Sequence, residues 1–68
     1  MDEKRLEDLR SRVKNYTTRS TLNYRAVAEQ IGIPFSSLRN FIYGARISIE
    51  RYHMMVENIE VMEAQLPW

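Results

Sequence analysis

Residues that interrupt helices are scarce in this chain, and they stand at only a few places. Gly32 is followed by Ile33 and Pro34, Gly44 closes the next apolar stretch, and Pro67 lies at the end of the sequence. Between these positions the apolar residues recur at intervals of three and four. No stretch alternates with period two for long enough to suggest a strand. The sequence therefore predicts an all-α fold, a small four-helix domain with short turns.

The first two predicted helices are defined by apolar stripes and by their ends. The first runs from about residue 2 to about residue 18, where a polar and partly β-branched segment follows. The second begins after the N-cap residue Asn23 and ends at Gly32, because glycine tolerates the left-handed conformation that terminates a helix. The inward-facing residues of the two helices are Leu6, Leu9, Val13, Tyr16, Val27, Ala28 and Ile31.

The third and fourth helices follow from the same signals. The third starts at Pro34 or Phe35, since proline is tolerated in the first turn, and it runs to about Tyr43. The fourth is capped by Ser48 and extends to about Gln65. The inward residues predicted for the third helix are Leu38, Phe41 and Ile42. The apolar stripe predicted for the fourth consists of Ile49, Tyr52, Met55, Val56, Ile59, Met62 and Leu66.

The size and composition of the chain exclude several classes of protein. Its 68 residues can bury one small core, so we expect a single domain over residues 1–68. The absence of cysteine excludes disulfides, thiolate zinc sites and thiol nucleophiles. No apolar run approaches the ~18 residues of a membrane span, and no signal peptide is visible, so we expect no membrane partner and a cytoplasmic protein.

The formal net charge of +1 hides an uneven distribution of charge along the chain. Residues 9–28 carry five basic side chains and no acidic one, whereas residues 50–68 carry four glutamates and one arginine. Because partners respond to the local field rather than to the total charge, this matters for binding. The sequence predicts one basic surface and one acidic, apolar-rich surface.

Residues 24–44 have the pattern expected of a helix-turn-helix. Ala28 is small enough for two helices to cross closely, and Gly32 makes the tight turn between them. The small shared core would be filled by Val27, Ile31, Ile33, Leu38 and Phe41. With the following residues 45–50, this pattern resembles the Cro/lambda-repressor family of helix-turn-helix domains.

The resemblance implies a lambda-repressor-like domain that binds double-stranded DNA, with residues 35–43 as a recognition helix in the major groove. Arginine pairs with guanine and asparagine with adenine, whereas phosphate contacts fix the register without reading sequence. The base-reading residues would be Phe35, Ser36, Arg39, Asn40 and Arg46. The phosphate-binding residues would be Lys14, Arg19, Tyr24, Arg25, Ser37 and Tyr43.

The fourth helix carries more apolar residues than one narrow stripe can bury. The surplus predicts a homodimer formed through residues 48–68, which would read a two-fold site. The interface residues would be Met54, Val61, Met62, Leu66 and Trp68. The alternative is a monomer whose C-terminal tail folds back over the first helix.

The function that these features predict is a sequence-specific transcriptional regulator of a bacterium or phage. It would be a repressor that binds a two-fold operator as a homodimer, with activation left open, and it would act in the cytoplasm of the bacterial or phage-infected cell. We expect no enzymatic activity, cofactor, metal or small-molecule ligand; His53 with Glu50 and Glu57 offers too few ligands for a metal. The alternative is a small phage-type inhibitor that binds a protein through the same scaffold.

Overall fold

The computed structural model describes residues 2–66, which form four helices joined by short connections. They are α1 (Glu3–Ser20), α2 (Tyr24–Ile31), α3 (Phe35–Ile42) and α4 (Ile49–Ala64). No strand occurs within this range, so the predicted all-α class is confirmed. A three-residue turn joins α2 to α3, and the specific lambda-repressor-like arrangement stays a prediction.

Local side-chain signals define most of the helix ends. Asp2, Asn23 and Ser48 each accept a hydrogen bond from the backbone N–H three residues further on, at distances between 2.8 and 3.1 Å. Helix α3 has no side-chain cap, but Pro34 precedes it with φ of −61°. Gly32 ends α2 with φ of +95°, in the left-handed region that favours glycine. The turn that joins α2 to α3 is therefore set by Gly32 and Pro34.

Helix α1 extends two residues beyond its predicted end at about residue 18. Thr17 is buried, and its hydroxyl donates a 2.8 Å hydrogen bond to the carbonyl oxygen of Val13. Because that bond satisfies the hydroxyl within the helix, Thr17 does not interrupt α1. The helix continues to Ser20 and ends at Thr21, which adopts the left-handed conformation with φ of 60°.

The buried apolar side chains form one cluster among the four helices. Its members are Leu6, Leu9, Val13, Tyr16, Val27, Ala28, Ile31, Ile33, Leu38, Phe41, Met55, Ile59 and Met62. The predicted inner faces of α1 and α2 are confirmed, as are Leu38 and Phe41 of α3. Ile42 is only partly buried, and Ile49 is exposed because it lies in the first turn of α4, beyond the packed part of the bundle.

Arg10 is one of the five basic residues of segment 9–28, but it does not belong to an exposed basic surface. This side chain is 3% exposed, and it lies where α1 meets the end of α3. Its Nε donates to the carbonyl oxygen of Phe41 at 2.6 Å, and its Nη2 donates to that of Ala45 at 3.0 Å. Its Nη1 lies 2.6 Å from Glu7 and 3.3 Å from Glu3. The charge of Arg10 is therefore neutralised inside the fold.

A second arginine of the same segment, Arg12, ties α1 to α4. Its Nη2 lies 2.7 Å from Oε1 of Glu63, and both side chains are about one-third exposed. The hydrogen bond to Glu63 raises the pKa of Arg12 above its ordinary value. Asn58 completes the docking of α4, since its Nδ2 donates a 2.7 Å hydrogen bond to the carbonyl oxygen of Ile31 at the end of α2. These contacts hold α4 behind the α2–α3 pair.

Candidate nucleic-acid interface

A concavity of about 340 Å³ lies between the N-terminal end of α2 and the outer face of α3. Its lining consists of Asn23, Tyr24, Arg25, Phe35, Arg39, Ile42 and Tyr43. Most of this lining is aromatic or aliphatic, and the two charged residues are both arginines. The concavity therefore combines an apolar floor with a positively charged rim, and none of the lining residues is acidic.

The helical period of α3 separates the residues that line the concavity from those that pack in the core. Phe35, Arg39 and Tyr43 follow one another at intervals of four, so they share one face. Leu38 and Phe41 lie on the opposite face and are fully buried in the core. The core contacts of α3 therefore fix which side chains point outward.

Arg25 and Phe35 form the best-defined contact in the concavity. The guanidinium carbon of Arg25 lies 4.5 Å from the centre of the Phe35 ring, which is a cation–π geometry. A guanidinium stacked on a ring keeps its in-plane N–H groups available for acceptors such as phosphate. Phe35 is half-buried and packs against the core, so it lines the concavity without being a fully exposed ring.

The other base-reading residues predicted from the sequence lie in three different settings. Ser36, Arg39 and Asn40 are exposed on α3, and of these only Arg39 lines the concavity. Arg46 lies beyond α3, and its Nη1 is 3.1 Å from Oε2 of Glu3. The structure therefore keeps the α3 residues on an open surface, whereas Arg46 is held by the first turn of α1.

The residues predicted to bind phosphate divide in the same way. Tyr24, Arg25 and Tyr43 line the concavity, and Tyr43 is 83% exposed. Ser37 is half-buried on α3. Lys14 and Arg19 are exposed on α1 and are not part of the lining. The arrangement thus brings α2 and α3 residues together without the two α1 cations.

The predicted interface residues of α4 are corrected by the structure at one position. Met62 is 6% exposed and belongs to the core, because its side of α4 faces the other helices; it is wrong as a surface contact. Val61 is 60% exposed, and Met54 and Leu66 are half-buried against the core. Trp68 lies outside the described residues. The exposed part of the predicted interface is therefore centred on Val61.

Two features of this region were not found by sequence reasoning. Asn23 and Ile42 line the concavity, although the sequence suggested only a capping role for the first and a core role for the second. Glu3 contacts Arg10, seven positions along α1, and also Arg46, 43 positions away in the sequence. The spacing of Glu3, Glu7 and Arg10 on one face of α1 could have indicated their mutual contact, but not the contacts with the segment after α3.

Three further findings concern metal sites, membrane spans and comparisons with known proteins. Among residues 2–66, no three histidine, cysteine or acidic side chains are grouped in a way that could hold a metal ion. None of the described helices is long and apolar enough to cross a membrane. No family model matches the sequence, and neither the curated proteins nor the solved structures give a significant match. The function must therefore be inferred from the geometry of the molecule.

Proposed function

We propose that this protein is a sequence-specific regulator of transcription that binds double-stranded DNA with α3 in the major groove. The observation that carries this proposal is the open, acid-free face formed by α3 and the start of α2. There Arg25 and Arg39 border an apolar concavity, and Ser36 and Asn40 are exposed alongside on α3. A face with cations, hydrogen-bonding groups and apolar groups has the chemistry needed for phosphates and base edges.

The composition of α3 supports its role as the recognition helix. Its sequence, FSSLRNFI, contains no acidic residue that would repel the phosphate backbone. In the groove, Arg39 can donate two hydrogen bonds to guanine and Asn40 can pair with adenine. Arg25 lies at the start of α2, where its guanidinium can bind a phosphate while it stays stacked on Phe35. The two helices thus divide the work between base reading and positioning.

In this proposal Arg46 exchanges its ion pair with Glu3 for a contact with DNA. Its ion pair with Glu3 is exposed, and exposed pairs contribute little to stability. Replacement of the Glu3 carboxylate by a DNA acceptor would therefore lose only the small contribution of this ion pair. In the proposed complex Arg46 extends the reading surface beyond the end of α3.

The proposed regulator is a homodimeric repressor, and α4 supplies the contact between subunits. The support for this is the exposed apolar side chain of Val61 on α4, which is not part of the lining of the concavity. A two-fold dimer would place two copies of α3 in successive major grooves, about one helical turn of DNA apart. Repression would follow from occupation of the operator.

The experiment that tests this function is selection from a random duplex library, followed by binding measurements on the enriched sequence. We expect an inverted repeat that binds at least a thousandfold more tightly than random duplex at the same salt concentration. Equal affinity for the selected and the random duplex would contradict the proposal of a sequence-specific regulator. Analytical ultracentrifugation of the wild type and Val61→Glu tests the dimer: the wild type should sediment as a dimer at tens of micromolar, and the variant as a monomer.

A protein-binding inhibitor is the second candidate, and the exposed Val61 and Ile49 favour it. Such a protein would use α4 to contact a partner, and it would not need a phosphate-binding surface. The dependence of DNA affinity on salt separates the candidates, because phosphate binding weakens steeply as the salt concentration rises. A flat dependence would favour the inhibitor.

A further inference from the structure

The concavity between α2 and α3 has a chemical character that narrows what it can accept. Its floor and walls are formed by the Phe35 and Ile42 side chains and by the rings of Tyr24 and Tyr43. The Asn23 side-chain oxygen, a polar group at its margin, already accepts a 2.8 Å hydrogen bond from the backbone of Ala26. The group that enters the concavity therefore meets mainly carbon surface, with the guanidinium groups of Arg25 and Arg39 beside it.

Base pairs present different groups in the major groove, and only one of them is apolar. Guanine, adenine and cytosine place nitrogen and oxygen atoms there, whereas thymine adds a 5-methyl group. A polar base edge pressed against carbon loses its hydrogen bonds to water without replacement. A methyl group loses none and gains from leaving water. An apolar concavity on a groove-facing surface therefore favours thymine.

The two arginines at the rim, Arg25 and Arg39, determine the position that such a thymine would occupy relative to the protein. Arg25 is held over Phe35 at one side of the concavity, with its guanidinium 4.5 Å from the ring centre. Arg39 lies one helical turn after Phe35 on the same face. With Arg25 on a phosphate and Arg39 on a guanine, the concavity between them faces the base next to that guanine. Its volume of about 340 Å³ admits the edge of the pyrimidine together with its methyl group.

We propose that the concavity lined by Tyr24, Phe35, Ile42 and Tyr43 receives the 5-methyl group of a thymine that neighbours the guanine contacted by Arg39. This inference rests on the proposed DNA-binding function and assigns a specificity to one part of its surface. The occupant is thymine within a duplex, since the arginines on the rim complement a continuous phosphate backbone and a paired guanine.

The test uses the sequence selected from the duplex library and replaces each thymine in turn by deoxyuridine, which lacks only the methyl group. We expect one position in each half-site, next to a conserved guanine, at which the replacement weakens binding about fourfold, the factor for burying roughly one methyl group. Thymines elsewhere in the site should tolerate the change. If no replacement weakens binding while the selected site is still bound specifically, the methyl-reading inference is overturned and the regulator stands.

A pair of variants ties the effect to the concavity. Tyr43→Ser removes an exposed wall, so the ratio of the thymine and deoxyuridine affinities should fall toward one while the thermal unfolding temperature is unchanged. His53→Ser is the matched control, because it removes an exposed ring from α4, outside the lining, and it should keep the ratio near four. A ratio that persists in Tyr43→Ser would place the methyl contact elsewhere and overturn the proposal.

Two remaining outcomes also decide the inference. A single-stranded oligonucleotide of the same sequence should bind far more weakly than the duplex. Equal binding would mean that the concavity holds an unpaired base, which contradicts the proposal. Failure to bind any duplex preferentially would overturn both the proposed function and the inference, and it is distinguished from the other failures because no selected site would then exist.

Discussion

Two arginines of α1, Arg10 and Arg12, and the arginines of the α2–α3 pair lie in different surroundings, although the sequence places them in or near one basic stretch. Arg10 and Arg12 are used inside the molecule, where they bind Glu3, Glu7 and Glu63. Within residues 2–66, Arg25 and Arg39 form no ion pair. The difference shows that a count of positive charge along the sequence does not measure the charge that a partner meets, because part of it is already neutralised by the fold.

Among the substitutions that test this difference between the arginines, we expect the largest effect, on stability, at Arg10. Arg10→Met should lower the free energy of unfolding by about 3 kcal/mol, because it leaves the two carbonyl oxygens and the adjoining carboxylates without their partner. Urea denaturation monitored by circular dichroism measures this loss. Lys14→Met, at an exposed position of the same helix, is the control and should change the stability by less than about 0.5 kcal/mol. Equal stability of the two variants would show that Arg10 is not an internal charge.

The next effect concerns affinity rather than folding. Arg39→Ala should weaken binding to the selected duplex by about 2 kcal/mol and relax the preference for guanine at one position of each half-site. Its thermal unfolding temperature should stay at the wild-type value, since the side chain is exposed. Arg5→Ala carries the same change of charge on the exposed surface of α1 and should bind normally. Loss of affinity in both variants would point to a general effect of charge.

A smaller effect distinguishes a phosphate contact from a base contact. Arg25→Ala should weaken binding to all duplexes alike, and it should reduce the slope of log affinity against log salt by about one per subunit. Fluorescence anisotropy titrations between low and moderate salt measure the slope. Arg12→Ala serves as the comparison, because its charge is already paired with Glu63. An unchanged slope for Arg25→Ala would remove it from the phosphate contacts.

The smallest effect is expected for the tie between α1 and α4. A double-mutant cycle with Arg12→Gln and Glu63→Gln should give a coupling of about 0.5 kcal/mol, since both side chains are partly exposed and solvent screens the pair. The coupling should decrease as the salt concentration is raised. A coupling as large as the effect at Arg10 would mean that solvent does not weaken this pair.

The parts of the fold that depend on neighbours in sequence could be predicted, and the parts that depend on distant neighbours could not. The helix ends at Asn23, Gly32 and Ser48 follow from capping chemistry, which acts over three or four residues. The burial of Arg10 depends on carbonyl groups 31 and 35 positions away. No periodicity in α1 distinguishes an arginine that reaches such groups from one that faces water.

The candidate site shows the same division. The outward face of α3 follows from the helical period once Leu38 and Phe41 are assigned to the core. The concavity itself requires the start of α2 to lie beside that face, which depends on the packing of both helices. Met62 was assigned both to the apolar stripe of α4 and to the interface, because a stripe this wide does not indicate which edge is covered by the other helices; its burial agrees with the first assignment.

The hydrogen bonds from Arg10 to the end of α3 restrict the local opening of this helix end. The backbone N–H of Ala45 donates to the carbonyl oxygen of Asn40 at 2.9 Å, and the carbonyl oxygen of Ala45 accepts from Arg10. The last turn of α3 and the segment after it therefore cannot fray without disrupting α1. The backbone N–H groups of Tyr43, Gly44 and Ala45, which donate to carbonyl oxygens of α3, should exchange with solvent more slowly than those of an ordinary helix terminus. Helix α3 would thus meet a partner already ordered, and little conformational entropy would be lost on binding.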